Sequence, residues 1–448
     1  MRRSSTVFRV VHPHAAGIDV GHDAHYVAVP PESCAQGESC VCRFGAFTAD
    51  LYALADWLKA HQVETVALES TGVHWIPLFE VLESRGFQVC LVDTRRVKSV
   101  PGRKTDVKDS QWLQQLHACG LLQGAFRPDD EICVLRSYLR QREMLITCAA
   151  AHIQHMQKAL QQMNLKLSNV LTDITGQTGI LIIQAILDGE RDPVKLAQHR
   201  DPRCKQPEEI IAKSLVGNWR DDHLFELKQA VELVRFYQQQ LRECDARIEI
   251  HLRQLPDRRG PGSPPLPARK VKLNSHTPGF DARSLLHRTT GVDLTAIHGI
   301  AANTALKIVS EIGRDMSRWP SVKQFCSWLC LCPGNKKTGG KVFNTRTRRS
   351  QNRAAAALRM AAQSLERSKT ALGAYYRRMK SRLGAPEAIT AAAHKLARIV
   401  YSLLKHGQSY LDLGQDAYEQ QYQARMQHSL ERRAKQLGFQ LVPIATPN

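Results

Sequence analysis

With 448 residues, 43% of them hydrophobic, the chain is long enough for two or three domains with separate cores, and a disordered polymer is excluded. Its 62 Lys and Arg against 42 Asp and Glu give a formal net charge of +20, which points to a polyanionic partner, because each neutralised phosphate releases condensed counterions. No apolar run has spanning length and no basic amphipathic helix suits a membrane surface, so a membrane partner is excluded and nucleic acid is expected.

The N-terminus, MRRSSTVFRVVHPH, has two early arginines but no apolar core of a secretory signal, so a cytoplasmic location is expected. Ala16 to Val20 and His25 to Val29 are short apolar runs around a Gly21–Asp23 turn, which predicts a β-hairpin. Leu51 to His61 has helical spacing, Val63 to Leu68 is β-rich, Val73 to Arg85 is helical with Gly86 as its cap, and Val89 to Val92 is a further strand. Such alternation predicts a mixed α/β sheet domain over residues 1–130.

Residues 131–255 change character. Ile146, Ala149, Ile153, Met156, Leu160, Met163 and Leu167 follow a 3–4 spacing, and a second seam runs from Leu224 to Leu255 with polar breaks at Gln238 and Asp245. Two long helices are expected, paired as an antiparallel hairpin or between chains. Residues 256–284 read as a Pro/Gly-rich linker, 285–410 as an all-α domain and 411–448 as a polar tail with a helix around Ala417 to Leu437. Twelve scattered cysteines without CxxC pairs are expected to be reduced thiols rather than zinc ligands.

Four acids occupy positions suited to phosphodiester chemistry. Asp19 ends the first strand in GIDVG, Glu69 follows VETVAL in ALESTG, and Asp106 and Asp109 share one face of a helix that begins in KTDVKDS. Strand transfer needs charge neutralised on the entering and leaving oxygens, which two Mg²⁺ ions about 4 Å apart can do, with Mn²⁺ as the alternative. Arg95, Arg96, Lys98, Arg103 and Lys104 crowd the same stretch and suit a nucleic-acid backbone.

Downstream, LTAIHGIAANTALKIVSEIG (294–313) predicts a helix-hairpin-helix-like unit whose helix N-terminus suits a phosphate. After it, Lys336, Lys337, Lys341, Arg346, Arg348, Arg349 and Arg353 form a run without acids around Gly339 and Gly340. A solvated face usually mixes signs, so this run is expected to bind phosphates, with the glycines permitting close approach.

The series GIDVG, ALESTG and KTDVKD, together with the C-terminal half, resembles the DEDD transposases of bacterial insertion sequences. The resemblance implies an RNase H-like (RuvC-like) N-terminal domain, Asp19, Glu69, Asp106 and Asp109 as metal ligands, and a hydroxyl nucleophile before the paired glycines. The family carries serine there and this chain carries Thr338, with Ser350 a poorer substitute. It further implies DNA ends and target as substrates, a guide RNA, and a homodimer or homotetramer. Three other classes fit parts of the pattern: a junction-resolving endonuclease without a covalent step, a kinase-type ATP enzyme that would need further Gly-rich loops, and an inactive nucleic-acid-binding relic.

Overall fold

The computed structural model describes residues 9–70, 72–92, 106–260, 265–268, 276–339, 341–344 and 346–442. Of the segments singled out above, Arg95, Arg96, Lys98, Arg103, Lys104, Gly340 and much of the 256–284 linker lie outside them. The chain divides into two compact units, residues 1–127 and 128–448.

The first unit is built on five strands: β1 (Ala15–Val20), β2 (Ala24–Ala28), β3 (Val41–Gly45), β4 (Thr65–Glu69) and β5 (Gln88–Val92), in spatial order β3-β2-β1-β4-β5. β1, β2 and β3 are antiparallel neighbours, whereas β4 and β5 run parallel to β1. Parallel neighbours need crossovers, supplied by α1 (Thr48–Ala60) and α2 (Trp75–Ser84). One sheet face packs Ile18, Val20, Val27, Val66 and Leu68 against Leu54, Leu58, Leu78 and Leu82 of these helices. The other face carries α3 (Asp106–Ala118). The strand β3 was not expected; VCRFG carries one arginine among half-buried residues and follows a Cys/Gly/Ser-rich stretch that masks the pattern.

The thiol expectation needs one correction. Cys34 and Cys40 are joined by a disulfide with their Cα atoms 5.9 Å apart, because the chain between β2 and β3 doubles back on itself. The other ten cysteines form no disulfide among the described residues.

In the second unit, α4 (Asp130–Gln162) and α9 (Asp221–Gln254) pair as one antiparallel hairpin within the chain. His251 Nε2 lies 2.7 Å from the Glu131 carbonyl at one end, and Asn218 N donates to the Met163 carbonyl at 2.8 Å at the other. The predicted seam holds at Ala149, Met156, Leu160, Leu227, Val231 and Val234, all buried. It extends earlier than expected, through Ile132, Leu135, Leu139 and Leu145, because buried Arg142 interrupts the apolar pattern. Arg142 faces Asp245, the polar break in the second seam, with Nε donating to Oδ1 at 2.5 Å. Gln238, the other polar break, is exposed. Four short helices, α5 (Leu167–Val170), α6 (Gln177–Leu187), α7 (Pro193–Ala197) and α8 (Glu208–Ser214), cap the hairpin around Ile182, Ile183, Ile186 and Leu196.

The rest is helical: α10 (Ala282–Thr290), α11 (Ala302–Ile312), α12 (Val322–Trp328), α13 (Arg353–Gln363), α14 (Ala371–Leu383), α15 (Ala385–His406) and α16 (Gly414–Gln436). They are interrupted by the hairpin β6 (Lys336–Thr338) and β7 (Lys341–Asn344). The helix expected at the start of the 294–313 unit is only a 3₁₀ turn, Leu294–Ala296. Asp293 caps it, extended Ile297 ends it after one turn, and Gly299, with φ +90°, makes the bend that follows. A Cβ on Gly299 would stand 2.7 Å from the Ala361 carbonyl, so this bend is packed onto α13. No helix among the described residues is long and apolar enough to cross a membrane.

Candidate active site

The acidic residues gather at one end of the first unit's sheet. β1 and β4 are parallel with Ile18 beside Leu68, so their C-terminal ends bring Asp19 next to Glu69. Ser70 holds the exit from β4, its N–H and hydroxyl both donating to the Val92 carbonyl of β5 at 3.0 and 2.9 Å. Alternation along β1 puts Gly17 and Asp19 on the face that α3 covers.

Three fastenings set α3 across that face. Gly17 has no side chain, and a Cβ there would stand 2.5 Å from the Ser110 carbonyl, so helix backbone rides directly on strand backbone. Gln114 Nε2 donates to the Ala15 carbonyl at 3.1 Å. His117 Nε2 lies 2.9 Å from Thr65 Oγ1, and burial, followed by neighbouring His12, depresses His117 to about 4, so it is neutral at physiological pH. These contacts bring the first turn of α3, which carries Asp106 and Asp109, to Asp19.

The electrostatic result is concentrated on Asp19. Burial first, then the Glu69 charge and a hydrogen bond with Glu69, then the charges of Asp106 and Asp109, raise it from 3.8 to about 7. Half-buried Asp19 thus lies in hydrogen-bond reach of Glu69 and feels all three other carboxylates. Asp109 is half-buried and Asp106 exposed. Among the described residues, no three His, Cys, Asp or Glu side chains are drawn together closely enough to ligate a metal as they stand. The donor set nonetheless fits a hard divalent cation. It offers carboxylate oxygens from three chain segments, and their mutual repulsion is relieved by a positive ion.

A neighbouring histidine group did not stand out in the sequence. His25 is 2% exposed, its Nδ1 has no hydrogen-bond partner, and burial followed by the His74 charge lowers its pKa. His25 is in register with Val20, which places it on the sheet face opposite Asp19. The signal was available as His25 in GIDVGHDAH and His74 in STGVHW.

The second unit carries the basic loop. Thr338 ends β6, is exposed and pairs in register with Lys341 across Gly339, whose φ of +57° makes the turn. A Cβ on Gly339 would meet nothing within 4 Å, so the turn faces open space. Lys336 and Lys337 lie on β6. Lys341, Arg346 and Arg349 are exposed. Arg348 donates to the Ser327 carbonyl at 2.7 Å, and Arg353 pairs with Glu143 of α4 at 2.8 Å. Ser350 accepts from Asn352 N at 3.0 Å, away from the glycine turn.

The positive charge is divided unevenly. Residues 1–127 hold 13 Lys and Arg and 13 Asp and Glu, whereas residues 281–448 hold 27 and 10. The carboxylate unit is thus neutral overall and the helical unit has the charge for a polyanion.

Residues 16–165, which include all four carboxylates, match the family model of IS110-type DEDD transposases, and the chain is therefore a transposase of the DEDD class. Residues 293–377, which include Thr338 and the basic loop, match the model of the transposase IS116/IS110/IS902 family. The chain belongs to this IS110 family of insertion-sequence transposases. No curated protein matches it.

Proposed function

We propose that this transposase cuts and rejoins DNA strands at an RNase H-like (RuvC-like) carboxylate site that works with Mg²⁺ or Mn²⁺. The single observation that carries the reading is the convergence of Asp19, Glu69, Asp106 and Asp109 at one end of the sheet, where burial and the other three carboxylates raise Asp19 to about 7. An enzyme gains nothing in stability from such a cluster; its use is to hold cations against a phosphate. The sheet order β3-β2-β1-β4-β5, with its first three strands antiparallel, supports the fold reading.

In this reading Asp19, Glu69, Asp106 and Asp109 hold the metal, which would supply Lewis-acid stabilisation of charge on the phosphate oxygens. The exposed cations Lys341, Arg346 and Arg349 orient the DNA backbone near the glycine turn. Arg103, Lys104, Lys336, Lys337, Gly340, Arg348 and Arg353 complete the proposed contacts. Thr338 Oγ1 attacks the phosphorus, its proton is lost to water, and one strand oxygen leaves as a free hydroxyl, so the cut end stays bonded to the protein. Attack by a hydroxyl of the second DNA reverses the step and restores Thr338. A guide RNA, a dimeric or tetrameric assembly and a cytoplasmic, nucleoid-bound location belong to the same proposal. The methyl group of Thr338, which crowds in-line attack, favours one second reading: a junction endonuclease with no covalent intermediate.

The test is cleavage and joining of DNA carrying the element ends, in Mg²⁺, by wild type, Asp19→Ala and Asp109→Ala. Both variants are expected to bind DNA and to lose strand exchange. Undiminished exchange in either would remove the metal-site assignment. Sequencing RNA that co-purifies with the protein tests the guide: a discrete element-derived species is expected.

A further inference from the structure

Residues 367–411 contain nine Lys and Arg and a single acid, Glu387. The segment reaches well beyond the family match at 293–377. The fold accounts for several of these cations internally. Arg377 donates to the carbonyls of Glu366 and Ser368 at 3.0 and 2.7 Å. Arg378 pairs with Glu419 and lies over the Tyr422 ring, Lys380 pairs with Glu366, and Lys405 Nζ donates to the Pro320 carbonyl at 2.9 Å.

Four cations on three helices are tied to no other element in this way. Arg382 ends α14, Lys395 and Arg398 lie one turn apart on α15, and Arg425, which donates to the Gln421 carbonyl of its own helix at 3.1 Å, comes from α16. α14 packs against both α15 and α16, with the Tyr375 and Tyr418 rings 6.5 Å apart between α14 and α16. All four cations are exposed, and none has a carboxylate within ion-pair distance among the described residues. They act on shared neighbours. Partial desolvation, then Arg398 and Arg425, lower Lys395; desolvation, then Arg398 and Lys395, lower His394; and both Arg382 and Arg398 act on Tyr375. Like charges one helical turn apart destabilise a helix, and a face kept only for solubility mixes signs. A concentration of cations on packed helices, with no carboxylate paired to these four among the described residues, is explained by an anion that spans them.

We propose that Arg382, Lys395, Arg398 and Arg425 form a second surface for the phosphate backbone of duplex DNA, separate from the Lys336–Arg353 loop. The occupant follows from charge complementarity and from membership of a transposase family. The proposal rests on DNA handling by this chain and not on the carboxylate cluster. Its role is to hold a DNA arm without reading sequence, since backbone contacts carry no base information.

The experiment measures binding of the full-length protein to a random-sequence duplex across a salt series, by fluorescence anisotropy. The triple variant Lys395→Gln, Arg398→Gln, Arg425→Gln is expected to raise Kd at least about tenfold. It should also flatten the slope of log K against log salt by about 2.7, at about 0.9 for each phosphate that is no longer neutralised. The charge-retaining triple Lys395→Arg, Arg398→Lys, Arg425→Lys is expected to restore both. Unchanged Kd and slope in a variant with wild-type circular dichroism would overturn the proposal. So would weakened binding to a structured RNA probe with duplex binding intact. If the triple fails to fold, the three single Gln variants are each expected to flatten the slope by about 0.9, and three unchanged slopes refute the surface. Asp19→Ala, measured alongside, separates this surface from the cleavage reading, because it alters the carboxylate site alone.

Discussion

Gly17 of β1 and Gln114 of α3 are in backbone contact: a Cβ on Gly17 would clash with the Gln114 nitrogen, and the Gln114 side chain reaches past it to the Ala15 carbonyl at 3.1 Å. The relationship matters because α3 carries Asp106 and Asp109 in its first turn. Gly17→Ala is therefore expected to push α3 off the sheet. Overpacking of this kind costs roughly 1–3 kcal/mol, and here the opposing atoms are backbone, which cannot rotate away. The expected result is a lower melting temperature for the first unit and a loss of strand exchange out of proportion to it. Wild-type stability in Gly17→Ala would mean the helix is held by other contacts.

Asp19 connects the site to stability. Its folded value of about 7 lies above the ordinary 3.8, so between those two values the folded protein binds more protons than the unfolded chain. Stability of the metal-free protein should fall as pH rises from about 4 to about 7, and the penalty should be complete above that. Asp19→Asn removes the buried charge while keeping the shape. In EDTA at pH 8 it should be more stable than wild type by on the order of 1 kcal/mol, discounted for solvent screening, and its melting temperature should vary less between pH 5 and pH 8. Added Mg²⁺ should stabilise wild type and leave Asp19→Asn unmoved. Differential scanning calorimetry measures both effects, and equal Mg²⁺ stabilisation of the two proteins would contradict the ligand role of Asp19.

Much of this site was legible because its signals are local. Asp19 and Glu69 each follow a run of apolar residues that alternation and β-propensity mark as a strand, and Asp106 and Asp109 carry helical spacing within four residues. The fastening of α3 was not legible. Gly17 sits in a motif that also reads as an ordinary turn, and its partner Gln114 is 97 positions away in an unremarkable helix. β3 was hidden for a related reason, since its pairing with β2 fixes it and its composition does not. Arg142 misled in the opposite direction: a charge in a seam looks like the end of a core, and only Asp245, 103 residues on, turns it into part of one. The cations of α14 to α16 are scattered over 44 positions and become a surface only when three helices pack.

That Arg142–Asp245 pair supports a prediction about the long hairpin. Both residues are buried; Asp245 also accepts from Gly279 N at 2.8 Å, and Arg142 NH1 donates to the His276 carbonyl at 3.3 Å. Removing one partner strands a buried charge, which costs about 3–5 kcal/mol. Asp245→Ala should thus destabilise the second unit severely. The double variant Arg142→Met, Asp245→Leu should recover most of the loss, because an apolar pair of similar volume needs no counter-charge. Chemical denaturation of the three proteins checks this, and a double variant no better than Asp245→Ala would show that the Gly279 and His276 contacts matter more than the ion pair.

The hydroxyl at position 338 gives the sharpest chemical test. Thr338 is exposed at a hairpin turn whose following glycine has a positive φ, so changes of side chain there should leave the fold intact. If its Oγ1 forms the bond to phosphorus, Thr338→Ala cannot make a protein–DNA adduct, and denaturing gels of reactions on labelled element ends should lose the shifted band entirely. Thr338→Ser keeps the hydroxyl and removes the methyl group beside it. Relief of crowding at an in-line attack should then raise the rate of adduct formation, by about tenfold for a barrier lowered by about 1.4 kcal/mol. A serine variant slower than wild type, together with an alanine variant that still cleaves, would favour direct attack by water and the junction-endonuclease reading. An adduct that survives Thr338→Ala would assign the covalent bond to another hydroxyl, with Ser350 the next to substitute.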